Sequence, residues 1–260
     1  MTIYDELRNA LRRDEPVALA TVVGGLQVGA KLLVRPDGDR HGGLGDADLD
    51  RVVTRDARGQ LEAGLTATRH YGPHGEAREH AVEVFIESFA PAPRMIIFGA
   101  VDFTAALAQA AKLLGYRVTV CDARAVFATP QRFRMADEVV NDWPHRYLAK
   151  VGEELGPRDA VCVLTHDHKF DVPAIAAALE TDVGYIGAMG SRRTHEDRVR
   201  RLDESGVDDA ALARVMAPIG LDLGARTPEE TAVSICAEII ALRTGRAARS
   251  LRDADGPIHA

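Results

Sequence analysis

The spacing of apolar positions divides the chain into two regions of different character. In the first, Ile3, Leu7 and Leu11 recur every four residues, which predicts a short helix over residues 2–13, before Pro16. Val17–Val23 is an apolar run between Pro16 and the pair Gly24-Gly25, as a buried strand would be. Lys31–Arg35 reads as a second strand, closed by the turn Pro36-Asp37-Gly38. A glycine-rich stretch, His41–Asp46, precedes a helical pattern over 46–62. Leu65–His70 and Ala81–Phe89 read as strands around the turn Tyr71–Gly75. In the second of these, Val82, Val84 and Ile86 alternate with Glu83, Phe85 and Glu87, one face buried and the other largely wet. The expectation is a smaller α+β domain over residues 1–90.

Ala90-Pro-Ala-Pro93 reads as an extended spacer, because two prolines in four residues oppose helix. From residue 94 onward the pattern alternates. Met95–Phe98, Arg117–Cys121, Glu138–Asn141, Asp159–Thr165 and Val183–Ile186 are apolar runs of strand length. Between and after them lie helical segments at Phe103–Leu114, Pro173–Leu179 and Arg193–Glu204, and a long helix opened by Thr227-Pro-Glu-Glu230, which carries a capping box with proline at the first helical position. The expectation is an α/β domain over 94–245, a parallel sheet with helices on both faces, and then a polar tail over 246–260.

Composition narrows the function classes. Hydrophobic residues make up 46% and charged residues 27% of 260, which suits a folded globular chain. Thirty-two basic against 39 acidic residues leave a net charge of −7, so a nucleic-acid footprint is not expected. No window approaches the ~20 apolar residues of a membrane span, and the N-terminus lacks the apolar core of a signal peptide. Cys121, Cys162 and Cys236 are odd in number and widely spaced, forming neither a disulfide framework nor a metal knuckle, and read as inert core thiols. A reduced, cytoplasmic protein is the expectation. Motifs of serine hydrolases, P-loop NTPases and zincins are missing from the sequence.

In an open parallel sheet, ligands bind outside the carboxyl ends of the strands. Four segments follow strands, and each carries candidate residues. Gly99-Ala-Val-Asp-Phe-Thr104 has Val101 and Thr104 where a dinucleotide turn wants glycines, so NAD(P) binding there competes with a plain structural turn. Asp122 lies at the offset of a ribose-binding carboxylate, and Arg124 beside it can meet a phosphate or close a loop ion pair. Thr165-His166-Asp167-His-Lys-Phe-Asp171 offers either a polar rim for a substrate or, if His166 and His168 lie on one side of an extended segment, part of a metal site; no distant His/Cys set completes the latter. Gly187-Ala-Met-Gly190-Ser191-Arg192-Arg193-Thr194 combines two glycines that let backbone approach a ligand, a capping serine and two cations at a helix start. It is the best anion or phosphate site in the sequence, the alternative being a plain helix start with solvated arginines. Further on, Ala217–Pro228 is a constrained loop in which Asp222 and Arg226 can face the same crevice or simply pack an Ω-like connection.

These segments resemble the XdhC/CoxI family. The resemblance is carried by Thr165-His-Asp167 with Phe170-Asp171, Tyr185–Thr194, Ala217–Glu230, and Arg132-Phe133 with Ala136-Asp137; in the N-terminal half it rests on Ala20–Val23, Gly29-Ala-Lys31 and Gly42–Asp50. It covers about residues 5–245. It implies a C-terminal Rossmann-like domain preceded by a smaller one. It also implies an accessory protein that binds the molybdenum cofactor (molybdopterin or its nucleotide form), assists its sulfuration, and inserts it into a client molybdenum hydroxylase such as xanthine or CO dehydrogenase. Self-association as a dimer and contact with a cysteine desulfurase follow from the resemblance alone. Two positions depart from the family pattern. Gly99-Ala-Val-Asp102 stands where the family reads G-A-G-H, and Asp48 stands where it has a cysteine. Two alternatives therefore stay open: an NAD(P)-dependent oxidoreductase, and a regulatory paralogue without cofactor binding.

Overall fold

The computed structural model describes residues 2–77 and 79–253, and the chain divides into two compact units between Pro91 and Ala92. Residues 254–260 of the expected polar tail lie outside the described residues; 246–250 carry no regular structure, and Leu251–Asp253 form a single 3-10 turn.

The first unit is a five-stranded antiparallel sheet with one helix on each face. Its elements are α1 (Ile3–Arg12), β1 (Val17–Gly24), β2 (Lys31–Val34), β3 (Arg40–Gly43), α2 (Ala47–Ala63), β4 (Ala67–Tyr71) and β5 (Val82–Phe89), in sheet order β3-β2-β1-β5-β4. The period-2 pattern of β1 explains the sandwich. Ala18, Ala20 and Val22 pack toward Leu49, Val53, Ala57 and Leu61 of α2, while Val17 and Leu19 pack with Ala10 and Leu7 of α1. Strand β3 falls in the stretch whose glycines suggest a turn. Glycine gives no strand signal, but pairing with β2 makes the strand, and Gly42 fits it at φ +94, where a side chain would meet both the Lys31 carbonyl and Ile3.

The second unit is a six-stranded parallel sheet. It runs through β6 (Arg94–Phe98), α3 (Asp102–Leu113), β7 (Arg117–Cys121), β8 (Glu138–Val140), α4 (Pro144–Val151), β9 (Ala160–Val163), α5 (His168–Leu179), β10 (Tyr185–Ala188), α6 (Arg192–Glu204), α7 (Asp209–Leu212), β11 (Val215–Met216) and α8 (Pro228–Thr244). Sheet order is β11-β10-β9-β6-β7-β8, so the chain starts in the middle, winds out to one edge, and returns to build the other half. This is the doubly wound order with its switch point between β6 and β9. Alternate residues of β6 face opposite layers: Met95 and Ile97 join α3 and α8, whereas Ile96 and Phe98 join α4, α5 and α6.

Several boundaries differ from the sequence reading, two of them beside the site. Helix α5 starts at His168, not Pro173, because Asp167 caps it by accepting from Lys169 N, and the chain tolerates Pro173 within. Strand β10 begins two residues late, at Tyr185; the preceding Gly184 sits where a side chain would meet the Pro157 carbonyl. Helix α4 and the short β11 were not legible as elements. In every inter-strand pair but the last, register aligns Phe98, Cys121, Val140, Val163 and Ala188 at one edge, and the loops that follow them gather there.

Candidate functional site

The site is the carboxyl edge of the parallel sheet. At its centre the first two loops close on each other. Gly99 takes φ +111, and a side chain there would lie 2.7 Å from Thr165 Cγ2 across the switch point. Gly99 is thus fixed by packing against Thr165. Thr104 occupies the third glycine position of a dinucleotide turn; it is fully buried and donates to the Gly99 carbonyl. Thr165 itself is buried, and its Oγ1 has no protein partner.

Asp122 and Arg124 form a closed pair after β7. The Asp122 carboxylate accepts from Ala100 N (2.8 Å), Arg124 N (2.9 Å), Arg124 Nε (2.9 Å) and Arg124 Nη2 (2.7 Å). Burial raises the carboxyl, but the Arg124 and Ala100 hydrogen bonds outweigh it and hold Asp122 below the usual carboxylate range. The loop ion pair is therefore the observed state, and the carboxylate has little left for a ribose diol.

After β9, His166 and Asp167 are exposed while His168 is the first residue of α5, so the two imidazoles do not share an extended segment. No group of three or more metal-type ligands occurs among the described residues. Phe170 and Asp171 turn inward from α5, and Asp171 is fully buried.

The last loop follows β10. Gly187 lies inside β10 and is buried; Ile219 fills the space a side chain would need, so packing, not ligand approach, dictates this glycine. Gly190, at φ +148, does lie in the loop, where a side chain would come within 3.1 Å of Thr194 and 3.5 Å of Arg198 Nη2. Ser191 caps α6 by accepting from Thr194 N at 3.1 Å. Arg192 and Arg193 follow on the exposed first turn, and neither has an ion-pair partner among the described residues. Further along α6 lies Arg198, only 1% exposed, its guanidinium under the Met189–Gly190 backbone. Its Nη2 donates to Met189 O at 2.7 Å and to Asp171 Oδ2 at 3.1 Å. Its Nε and Nη1, and the Oδ1 of Asp171, have no protein partner. Burial pushes the Asp171 carboxyl up against the pull of Arg198, to about 6. Sequence reasoning missed Arg198; its one signal was the i, i+4 relation to the inward Leu202.

Asp222 and Arg226 do not join this group. Both are exposed, and among the described residues no ion pair or side-chain hydrogen bond of theirs reaches the strand ends. Their loop is nonetheless anchored: Ile219 N donates to Ala188 O, Gly220 N to Glu238, and Ser234 Oγ to Leu221 O. The three cysteines are buried. Burial pushes the Cys121 thiol up to about 12 and Cys236 to about 11, and raises Cys162 as well. Asp48, where the family has a cysteine, is exposed on the first turn of α2 and pairs with Arg51 at 3.2 Å.

The second unit thus defines a doubly wound α/β domain whose carboxyl edge carries the exposed Arg192 and Arg193 and the buried Arg198. The chain matches the XdhC Rossmann domain over residues 95–239 and the XdhC and CoxI family over residues 10–72. It belongs to the XdhC/CoxI family. Its sequence is 29% identical to the uncharacterized protein YqeB of Escherichia coli (strain K12) over 94% of this chain and 46% of that one. It is 34% identical to a probable xanthine dehydrogenase subunit of Bacillus subtilis (strain 168) over 64% of this chain and 47% of the relative. With the molybdenum cofactor insertion chaperone PaoD of Escherichia coli (strain K12) it shares 33% identity, over 37% and 30%. The chain spans less than half the length of these curated relatives. A solved Bacillus halodurans structure described as a xanthine dehydrogenase shares the fold at a TM-score of 0.56, with 23% identity over 96% of this chain and 98% of that one. Among the described residues, no helix is long and apolar enough to cross a membrane.

Proposed function

We propose that this chain is a maturation factor that holds the molybdenum cofactor by its phosphate at the α6 end of the sheet edge and passes it to a client molybdenum hydroxylase. One observation carries the reading. The α6 N-terminus carries Arg192 and Arg193, free of ion pairs among the described residues, and the loop before it rests on a buried Arg198 whose Nε and Nη1 lack protein partners. Helix amides and two exposed cations suit a phosphate monoester, the buried Arg198 adds positive charge behind them, and the missing side chain at Gly190 keeps the helix start uncrowded. Two relatives carry names from molybdenum enzymology, one of them a cofactor insertion chaperone. When bound, the cofactor supplies the redox chemistry of the client; Ser191, Arg192, Arg193 and Thr165 bind and orient it.

The residues fit the phosphate end better than the metal end. No thiolate is offered: Asp48 replaces the family cysteine, and burial keeps Cys121, Cys162 and Cys236 protonated. Sulfur for any sulfuration therefore comes from a partner desulfurase, not from this chain. An NAD(P) oxidoreductase is the weaker reading, because the ribose carboxylate Asp122 is spent on Arg124 and Ala100.

The test is capture. Anaerobically prepared molybdenum cofactor is mixed with the purified chain and with Arg192→Ala/Arg193→Ala, and co-elution and affinity are measured. Binding by the native chain and a loss of about tenfold or more in the variant is expected. No capture, or capture unchanged by the variant, overturns the reading; client binding without capture would favour the regulatory paralogue. Light scattering on the same sample tests the dimer.

A further inference from the structure

Across the switch point, side chains from the loops after β7 and β9 build a second feature, from residues the phosphate site does not use. Arg124 lies over the Phe127 ring at 4.7 Å and over Phe170 at 5.8 Å. Arg132 lies over Phe127 at 5.9 Å, and Lys169 over Phe170 at 4.8 Å. Trp143 extends the row, its ring centroid 5.0 Å from that of Phe170. Three cations and three rings therefore form one connected shelf.

Its charges are only partly spent. Lys169 has no ion-pair partner among the described residues, and the Arg132 partner is a highly exposed Asp102 at 3.9 Å. Only Arg124 is fully engaged, and the Asp122 carboxylate that holds it fixes the guanidinium plane. The shelf is also open. Phe127 is 41% exposed and its neighbour Val126 82%, an unusual place for large apolar side chains at a cationic strand edge. Arg132 Nη1 donates to the Ala100 carbonyl at 3.3 Å, so the shelf borders the first turn of α3.

A flat heteroaromatic ring with an attached phosphate satisfies both halves of this arrangement. Rings stack on Phe127 and on guanidinium planes without regard to base identity, and the neighbouring ammonium and guanidinium groups take the phosphate. We infer that Arg124, Phe127, Arg132 and Lys169 form a nucleotide subsite, separate along the sheet edge from Arg192 and Arg193. The inference rests on the cofactor-holding reading only for its physiological ligand: the nucleotide attached to an extended cofactor. A free mononucleotide presents the same chemistry.

Trp143 is the chain's single tryptophan, so its fluorescence reports this shelf alone. The full chain is titrated with cytidine, guanosine and adenosine 5′-monophosphates, with the matching nucleosides, and with inorganic phosphate. The expected result is saturable quenching by the nucleotides, weaker response to nucleosides, and none to phosphate alone. Phe127→Ala and Arg132→Ala each weaken nucleotide binding about tenfold or more, whereas Arg192→Ala/Arg193→Ala changes it less than about twofold. Phe127 is exposed, so its truncation leaves the fold intact. Dissociation constants weaker than about 1 mM for every nucleotide, or affinities unchanged in both shelf variants, overturn the inference. In a second arm, cofactor with its nucleotide is expected to bind about tenfold tighter than cofactor without it, and equal affinity overturns the assignment of the shelf to the cofactor's nucleotide. Because the first arm contains no molybdenum, failure of cofactor capture and failure of the shelf are read separately.

Discussion

Removing the Arg198 side chain tests how the start of α6 is held in place. In Arg198→Met the aliphatic stem survives, but Nη2 is lost, and with it the hydrogen bonds to Asp171 Oδ2 and Met189 O. Both partners of the ion pair are almost fully buried, at 1% and 0%. Breaking such a pair from one side costs about 3–5 kcal/mol, because the stranded charge has no water to turn to. For a unit of this size that is a fall of about 6–20 °C in Tm. Replacing both ends, as Arg198→Met/Asp171→Leu, removes the stranded charge and should recover most of the loss. The penalty also depends on pH, and its sign follows from the Asp171 carboxyl. Burial raises that group in the folded state, to about 6, above its unfolded value of 3.8. Between these values the folded protein holds the extra proton, so this group's contribution to stability falls as pH rises through that window. Removing Arg198 takes away the group that pulls the carboxyl down, so the variant's penalty is larger at pH 8, where Asp171 must ionise or hold a proton against the solvent, than at pH 5, where it is protonated in both proteins. Urea and thermal unfolding followed by Trp143 fluorescence read the second unit specifically. A single-variant loss under about 1 kcal/mol, additivity in the double variant, or a penalty that grows toward acid would refute the reasoning.

Other positions make sharper or simpler tests. Gly187→Ala sets a methyl against Ile219 and should cost about 1–3 kcal/mol by displacing the loop that begins at Ala217, measured as a lower urea midpoint. Ser191→Ala leaves Thr194 N without its cap and should cost about 1 kcal/mol, while Arg192→Ala, on the exposed first turn, should change stability by less than about 0.5 kcal/mol even as anion affinity drops. The three thiols should react slowly with an aromatic disulfide reagent at pH 8 in the native protein and rapidly in urea, because burial raises all three; fast native labelling would contradict that burial.

Much of the architecture follows from local pattern. The alternation of Val82, Val84 and Ile86 gives β5, the uninterrupted run at Ala160–Val163 gives a doubly covered β9, and Thr227 with Glu230 closes the capping box that starts α8. The elements that were not legible lack a local signal for a definite reason. Strand β3 is made by its pairing with β2 and not by glycine's own preference. The start of α5 is set by the Asp167 side chain, whereas Pro173 suggests a start five residues too late. Among the site residues, the α6 start with Ser191 appeared as the spacing indicated, whereas Gly187 proved to be a packing glycine and His166 and His168 parted across the helix boundary.

Local signals along the chain were enough to set the class: two units of different periodicity, an alternating strand–helix order that demands a parallel sheet, caps that start α6 and α8, and motifs long enough to define the family. They suffice because periodicity, capping and turn chemistry act over a few residues at a time. Which polar groups are free was settled by long-range packing. Asp122 and Arg124, two residues apart, neutralise each other once the Ala100 amide, 22 positions upstream, joins the carboxylate, and Arg198 is buried against Asp171, 27 positions away. Phe127, Phe170 and Trp143 meet on one shelf although nothing in their spacing pairs them. Burial and partner choice arise from the winding of the sheet around its switch point, which brings strand ends together that the chain keeps far apart. Those two quantities set whether a charge is a ligand or a strut.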